Sequence, residues 1–159
     1  YGKSHSSGRL YDKHSFQKGV SRNTRNLCAQ KYYHDFDIVN CYPTLMNQVF
    51  QKAGIDCKCL DYYVNNRDDV INDILANYPQ LNYSLVKRSV NISVFWGNYK
   101  NHTTNGVEIA YLKNLMVEIR AATFKLRNCE QYKNIYNQVE EFNSKRKGKC
   151  NPDIQFSYM

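Results

Sequence analysis

The sequence has few of the features that would give its class away. Its longest apolar run falls far short of the ~20 residues that a membrane-spanning helix needs, and no secretory signal is expected from its polar opening residues. Glycine (7) and proline (3) are scarce, and neither an internal repeat nor a low-complexity block occurs. Its six cysteines, at 28, 41, 57, 59, 129 and 150, include no CxxC pair. Cys57-Lys58-Cys59 is too close for an ordinary disulfide and has no second pair to complete a zinc site. Free thiols in an intracellular, reducing compartment are therefore expected. Acidic residues are also short: 14 against 22 basic ones, for a formal net charge of +8 over 159 residues. With 42% hydrophobic and 14% aromatic residues, the chain is no disordered polyelectrolyte. One core of ordinary size is expected.

The charge is unevenly laid out. Residues 1–31 carry seven basic residues and one acid, residues 32–83 three and seven, and residues 84–159 twelve and six. A basic balance points to polyanionic partners, nucleic acid foremost. Carboxylates between two basic flanks are what a metal-dependent phosphate-handling site needs. The 19 asparagines and 14 tyrosines fit drift in an AT-rich genome. A chain that opens at Tyr1 and stops after Phe156-Ser157-Tyr158-Met159 is expected to be one incomplete domain of a longer protein.

Hydrophobic spacing divides the chain. Residues 1–31 read as an irregular or hairpin-like basic lead-in. Residues 32–159 read as a strand–turn–helix followed by further helices. Tyr32–Asn40 alternates with period two and is the strand candidate. Pro43 then suits a first helical turn, Leu45, Met46, Val49 and Phe50 share one helix side, and Gly54 is the stop signal. Helices are further expected over Arg67–Tyr78, Tyr83–Trp96, Glu108–Leu126 and Glu130–Asn143, from apolar residues three and four apart. The fold class expected is α+β, mostly helical around a small antiparallel sheet. Asp68 and Asp69 suit a helix N-terminus, where the macrodipole favours negative charge.

Chemistry concentrates in two segments. The first is Asp37-Ile38-Val39-Asn40-Cys41-Tyr42-Pro43-Thr44-Leu45-Met46. A strand-end aspartate followed by a turn offers a carboxylate and a nearby main-chain carbonyl to a hard cation. Such a cation offsets the charge that develops in phosphoryl transfer. The second is Ser84 to Gly97. Here Arg88, Ile92 and Trp96, or alternatively Lys87, Asn91 and Phe95, recur every four residues along one side of a helix.

The first segment resembles the D-x-x-S-L-Y-P-S-I-M block of family B DNA polymerases. The wider arrangement resembles family A, with Gly8-Arg9-Leu10, Gln17, Arg22 and Arg25 preceding Asp37. The second segment resembles the family A fingers helix, R-x-x-x-K-x-x-N-F-G-x-x-Y-G, with Arg88, Asn91 and Trp96-Gly97 on its Lys, Asn and Tyr-Gly. The resemblance covers roughly residues 8–98 and implies a palm/fingers-like fragment of a viral or mobile-element DNA polymerase. This would be a template-directed nucleotidyltransferase of DNA replication that uses Mg2+, dNTPs and a DNA primer-template, with other replication proteins as partners and no membrane.

It implies metal ligation by Asp37 and the Ile38 carbonyl. Tyr42 would screen the sugar, and Lys87, Arg88, Asn91 and Trp96 would bind substrate. Arg9 and Arg25 would contact nucleic acid. Ser84 stands where the family has a leading Arg, and Arg88 where it has a Lys, so charge is kept but a proton donor is lost. No His-Asp or Asp-Thr-Asp block follows, so the second catalytic carboxylate is missing and the chain alone is expected to be inactive. For Trp96, packing in the core is the alternative to substrate contact. The alternative for the whole chain is a non-catalytic basic nucleic-acid-binding module of a replication or packaging assembly.

Overall fold

The computed structural model describes residues 2–3, 10–11, 20–29, 31–32, 39–145 and 152–153. The chain divides into two compact units, one of residues 1–39 and the other Asn40–Tyr158.

In the first unit, β1 (Gly2–Lys3) pairs antiparallel with β2 (Leu10–Tyr11), Gly2 opposite Tyr11 and Lys3 opposite Leu10. Helix α1 (Arg22–Ala29) follows. Its start is a cap of the ordinary kind, in which Ser21 Oγ accepts from the Thr24 N–H at 3.3 Å. The expectation of an irregular or hairpin-like lead-in thus misses a helix at its end.

The described residues of the second unit form helices joined by turns and short loops. Helix α2 (Cys41–Lys52) starts from Asn40, whose φ of 54° is a left-handed conformation that asparagine tolerates. Pro43 falls in the first turn, where no amide hydrogen is missed. At the far end the Gly54 N–H donates to the Gln51 carbonyl at 3.0 Å and that of Ile55 to the Phe50 carbonyl at 2.9 Å. This is the Schellman pattern, with Gly54 (φ 69°) in the left-handed position glycine fills without strain.

Helices α3 (Lys58–Asn65) and α4 (Arg67–Asn77) come next. Asp68 and Asp69 occupy the first turn of α4, and Pro79 lies two residues past its end. Asn82 caps α5 (Tyr83–Val94) by accepting from the Leu85 N–H at 2.9 Å. A short α6 (Tyr99–His102) leads to α7 (Ala110–Asn128) and α8 (Glu130–Ser144).

The longest of these, α7, is the axis of the core, with α3, α5 and α8 packed against it. Leu112, Leu115 and Ile119 on α7 are fully buried, as are Leu60 and Tyr63 on α3 and Val86, Val90 and Val94 on α5. Each such aliphatic side chain contributes about 1.5–3 kcal/mol on leaving water. Ser89 and Ser93 sit within this core because each hydroxyl bonds back to a carbonyl of α5, Leu85 and Ser89 respectively, both at 2.8 Å.

The α+β expectation is overturned: among the described residues no antiparallel sheet underlies these helices. The described residues hold only the two-residue pair β1–β2, which belongs to the other unit. The physical reason is the packing of α7, whose apolar side is already covered by three helices, leaving no layer for a sheet to fill. The strand candidate Tyr32–Asn40 lies largely outside the described residues. Its described residues, Tyr32, Val39 and Asn40, lie in turns. Among the described residues no helix is long and apolar enough to cross a membrane.

The α6–α7 junction carries an ion pair with a pH consequence. Lys100 and Lys113 both hold the carboxylate of Glu108, the latter at 2.8 Å. These hydrogen bonds, that from Lys100 foremost, pull the Glu108 carboxyl down from 4.5 to about 2. Its folded value lies below the unfolded one, so its contribution is present above pH 4.5 and is lost as the pH falls through 2. In an acid titration followed by circular dichroism, Glu108→Gln should flatten the fall in stability across that window. An unchanged slope would mean that the bridge contributes nothing to folding.

Candidate nucleotide and nucleic-acid site

The site is built where α5 ends. Phe95 closes the helix, and the Trp96 N–H donates to the Ser93 carbonyl at 3.0 Å while that of Gly97 donates to the Ile92 carbonyl at 2.8 Å. This is the same Schellman pattern as at Gly54, but the left-handed position holds a tryptophan, with φ 61° at Trp96. A bulky side chain costs roughly 1–2 kcal/mol in that conformation, and strain of this kind gathers at functional sites. Gly97 follows because nothing larger fits: a Cβ there would stand 2.6 Å from Ile92 Cγ2.

The turn aims two aromatic rings. Phe95 meets Tyr42, from the first turn of α2, with ring centroids 4.3 Å apart and planes tilted by 38°. The Trp96 indole lies under the Arg120 guanidinium of α7, at 5.6 Å from the ring centroid. Its Nε1–H is buried and has no hydrogen-bond partner among the described residues. Trp96 is half-buried and packs against the hydrophobic core.

Upstream on α5, Lys87, Arg88 and Asn91 are exposed. Of the two rows left open by the sequence, Lys87–Asn91–Phe95 is the one that leads to Tyr42. The other passes through half-buried Ile92 and leaves the helix at Trp96. The structure thus joins Tyr42 to the end of the Ser84–Gly97 segment. Arg25 lies on α1, in the other unit. Arg9, Asp37 and Ile38 lie outside the described residues, and so does the expected Mg2+ site. Among the described residues no group of three or more His, Cys, Asp or Glu could hold a metal ion.

Arg120 has no motif around it in the sequence and was not among the expected site residues. Its only sequence signal is its place midway between Lys113 and Arg127, seven residues from each. Glu118, also on α7, does structural work. Its carboxylate accepts from the Cys59 N–H at 2.7 Å, closing the N-terminus of α3. Burial and this carboxylate push the Cys57 thiol up to about 12 and that of Cys59 up to about 11. Both are thus protonated, inert thiols near neutral pH, and the described cysteines are all free. A separate cleft of about 430 Å³ between α3, α4 and α7 contains none of the expected site residues. Two of its tyrosine hydroxyls are already engaged, Tyr78 with the Glu108 carbonyl and Tyr111 with that of Cys59.

No protein-family model, curated protein or solved structure matches this chain.

Proposed function

We propose that this chain is a fragment of a template-directed nucleotidyltransferase, a DNA polymerase of replication, in which α5 binds the incoming nucleotide. The observation that carries this reading is the Tyr42–Phe95 contact. It brings together the two segments, far apart in sequence, on which the polymerase resemblance rests. Arg88 and Lys87 would hold the triphosphate, Asn91 and Trp96 would flank the base, and Tyr42 would screen the sugar. Arg9 and Arg25 would touch the primer-template. Asp37 and the Ile38 carbonyl would hold Mg2+, which would neutralise charge on the phosphates.

The test is calorimetric titration of the chain with dNTP and Mg2+. Saturable binding is expected, with Arg88→Ala weakening it about tenfold or more, as befits a hydrogen-bonded charge. Heat independent of nucleotide, or an unaffected Arg88→Ala variant, would overturn the assignment.

A second reading has its own observation. Lys87, Arg88, Arg120 and Lys125 are exposed cations with no carboxylate partner among the described residues. A non-catalytic module would use them to hold nucleic acid, with strong salt dependence from counterion release and no response to dNTP.

A further inference from the structure

The outward side of α7 carries a pattern that the nucleotide site does not use. Lys113, Arg120 and Arg127 are spaced seven residues apart, and Val117 and Phe124 fall between them, also seven apart. All five therefore lie along one stripe of the helix, about 21 Å from end to end at 1.5 Å per residue. Val117 is 61% and Phe124 55% exposed, and the buried residues of α7 lie on its other side.

The stripe has no unpaired acid. Glu118, the one carboxylate on α7, is turned to the N-terminus of α3. Lys113 is occupied by Glu108 and Arg127 by Asp153, the latter pair at 2.7 Å. Arg120 is exposed and has no carboxylate partner among the described residues. Cation and aromatic are interleaved: Arg127 stands 4.2 Å from the Phe124 ring centroid and Arg120 over Trp96.

We propose that this stripe, with Trp96 at its edge, is a binding platform for single-stranded nucleic acid. Phe124 would stack on an unpaired base whatever its sequence, and Arg120, which has no carboxylate partner among the described residues, would hold the backbone beside it. A duplex hides its base faces and would leave Phe124 and Val117 in water. Two costs at Trp96 argue for a role beyond packing: its left-handed backbone and its buried N–H, which has no partner among the described residues. Both are borne in a turn that presents an indole to Arg120. The platform requires no nucleotidyl transfer and would serve a polymerase or a non-catalytic module alike.

The test uses the whole chain with no dNTP and no metal. Its outcome is therefore independent of the nucleotide reading. Trp96 is the single tryptophan, so its emission reports directly on this turn. Oligo-dT should change that emission saturably at low salt, and duplex of equal length should compete poorly. Phe124→Ala should weaken binding about tenfold, in line with the loss of one stacked base. Arg120→Ala should lower the salt slope by about 0.7, the value for one phosphate contact on a single strand. Lys133→Ala, on the exposed side of α8, should leave affinity unchanged.

Three results would overturn the proposal. One is wild-type affinity in both Phe124→Ala and Arg120→Ala. Another is duplex competing as well as the single strand. The third is sedimentation showing a dimer that Phe124→Ala dissolves while no oligonucleotide binds, which would make the stripe a contact between copies.

Discussion

Replacing Tyr99 with alanine should destabilise the helical unit by about 3–5 kcal/mol, the range for truncating a buried aromatic. For a chain of this size that corresponds to a fall in melting temperature of roughly 6–20 °C. Tyr99 is 2% exposed and closes a loop of ten residues with one hydroxyl. That oxygen accepts from the Ile109 N–H at 2.9 Å and donates to the Ile109 carbonyl at 3.2 Å. Ile109 is the residue from which α7 starts, so the tyrosine fixes where the central helix begins.

Tyr99→Phe separates ring from hydroxyl. It keeps the packing but leaves a buried N–H without its acceptor, which costs about 1–3 kcal/mol. The Tyr99 N–H also donates to the Gly97 carbonyl at 3.1 Å, tying the same residue to the Trp96 turn. Even the phenylalanine variant should therefore alter Trp96 emission. Val117→Ala, on the exposed side of α7, is the control and should stay within about 0.5 kcal/mol of wild type. A Tyr99→Phe protein as stable as wild type would mean that the hydroxyl is dispensable.

The sequence made the helices legible because their burial is periodic. Val70, Ile71 and Ile74 are buried where the apolar spacing puts them, and so are Leu112, Leu115 and Ile119. Pro43, Gly54 and Pro79 sit at the ends they signal. Helix α3 was not legible. Lys58–Asn65 is short and half polar, and what secures it is remote in sequence. Glu118 closes its start, and Asp61 receives Asn47 and Gln51 of α2 at 2.9 and 3.0 Å. The small sheet was read from a local alternation in Tyr32–Asn40, whereas the core organises itself around α7 without one.

Of the candidate site, the sequence singled out the two segments that meet at Tyr42 and Phe95. Neither the left-handed Trp96 nor Arg120 could be read in that way. Sequence around a Schellman turn leads one to expect glycine at the position Trp96 takes, as at Gly54. The Arg120–Trp96 pairing depends on how α5 and α7 pack, 24 residues apart along the chain.

The largest functional effect is expected at Asp37. In a protein that joins this chain to the second carboxylate a polymerase requires, Asp37→Ala should abolish nucleotide incorporation while primer-template binding persists. Under the proposed function, a metal-bridged phosphoryl transfer would need charge at that position and not merely an oxygen. Asp37→Asn, which keeps the shape and loses the charge, should therefore be as inactive as the alanine variant. Asp37→Glu keeps the charge but displaces it by one methylene, and should retain a small fraction of the rate.

Arg88→Ala should behave differently. A cation that holds the triphosphate equally before and during the reaction contributes uniform binding, so its loss should raise KM more than it lowers kcat. Asp37 variants should lose kcat. The helical unit begins at Asn40, so its circular dichroism should be unchanged in all three Asp37 proteins, which separates lost chemistry from lost folding. Normal incorporation by Asp37→Ala would sink the polymerase assignment. It would leave the single-strand platform standing, because Arg120 and Phe124 require neither that carboxylate nor a metal.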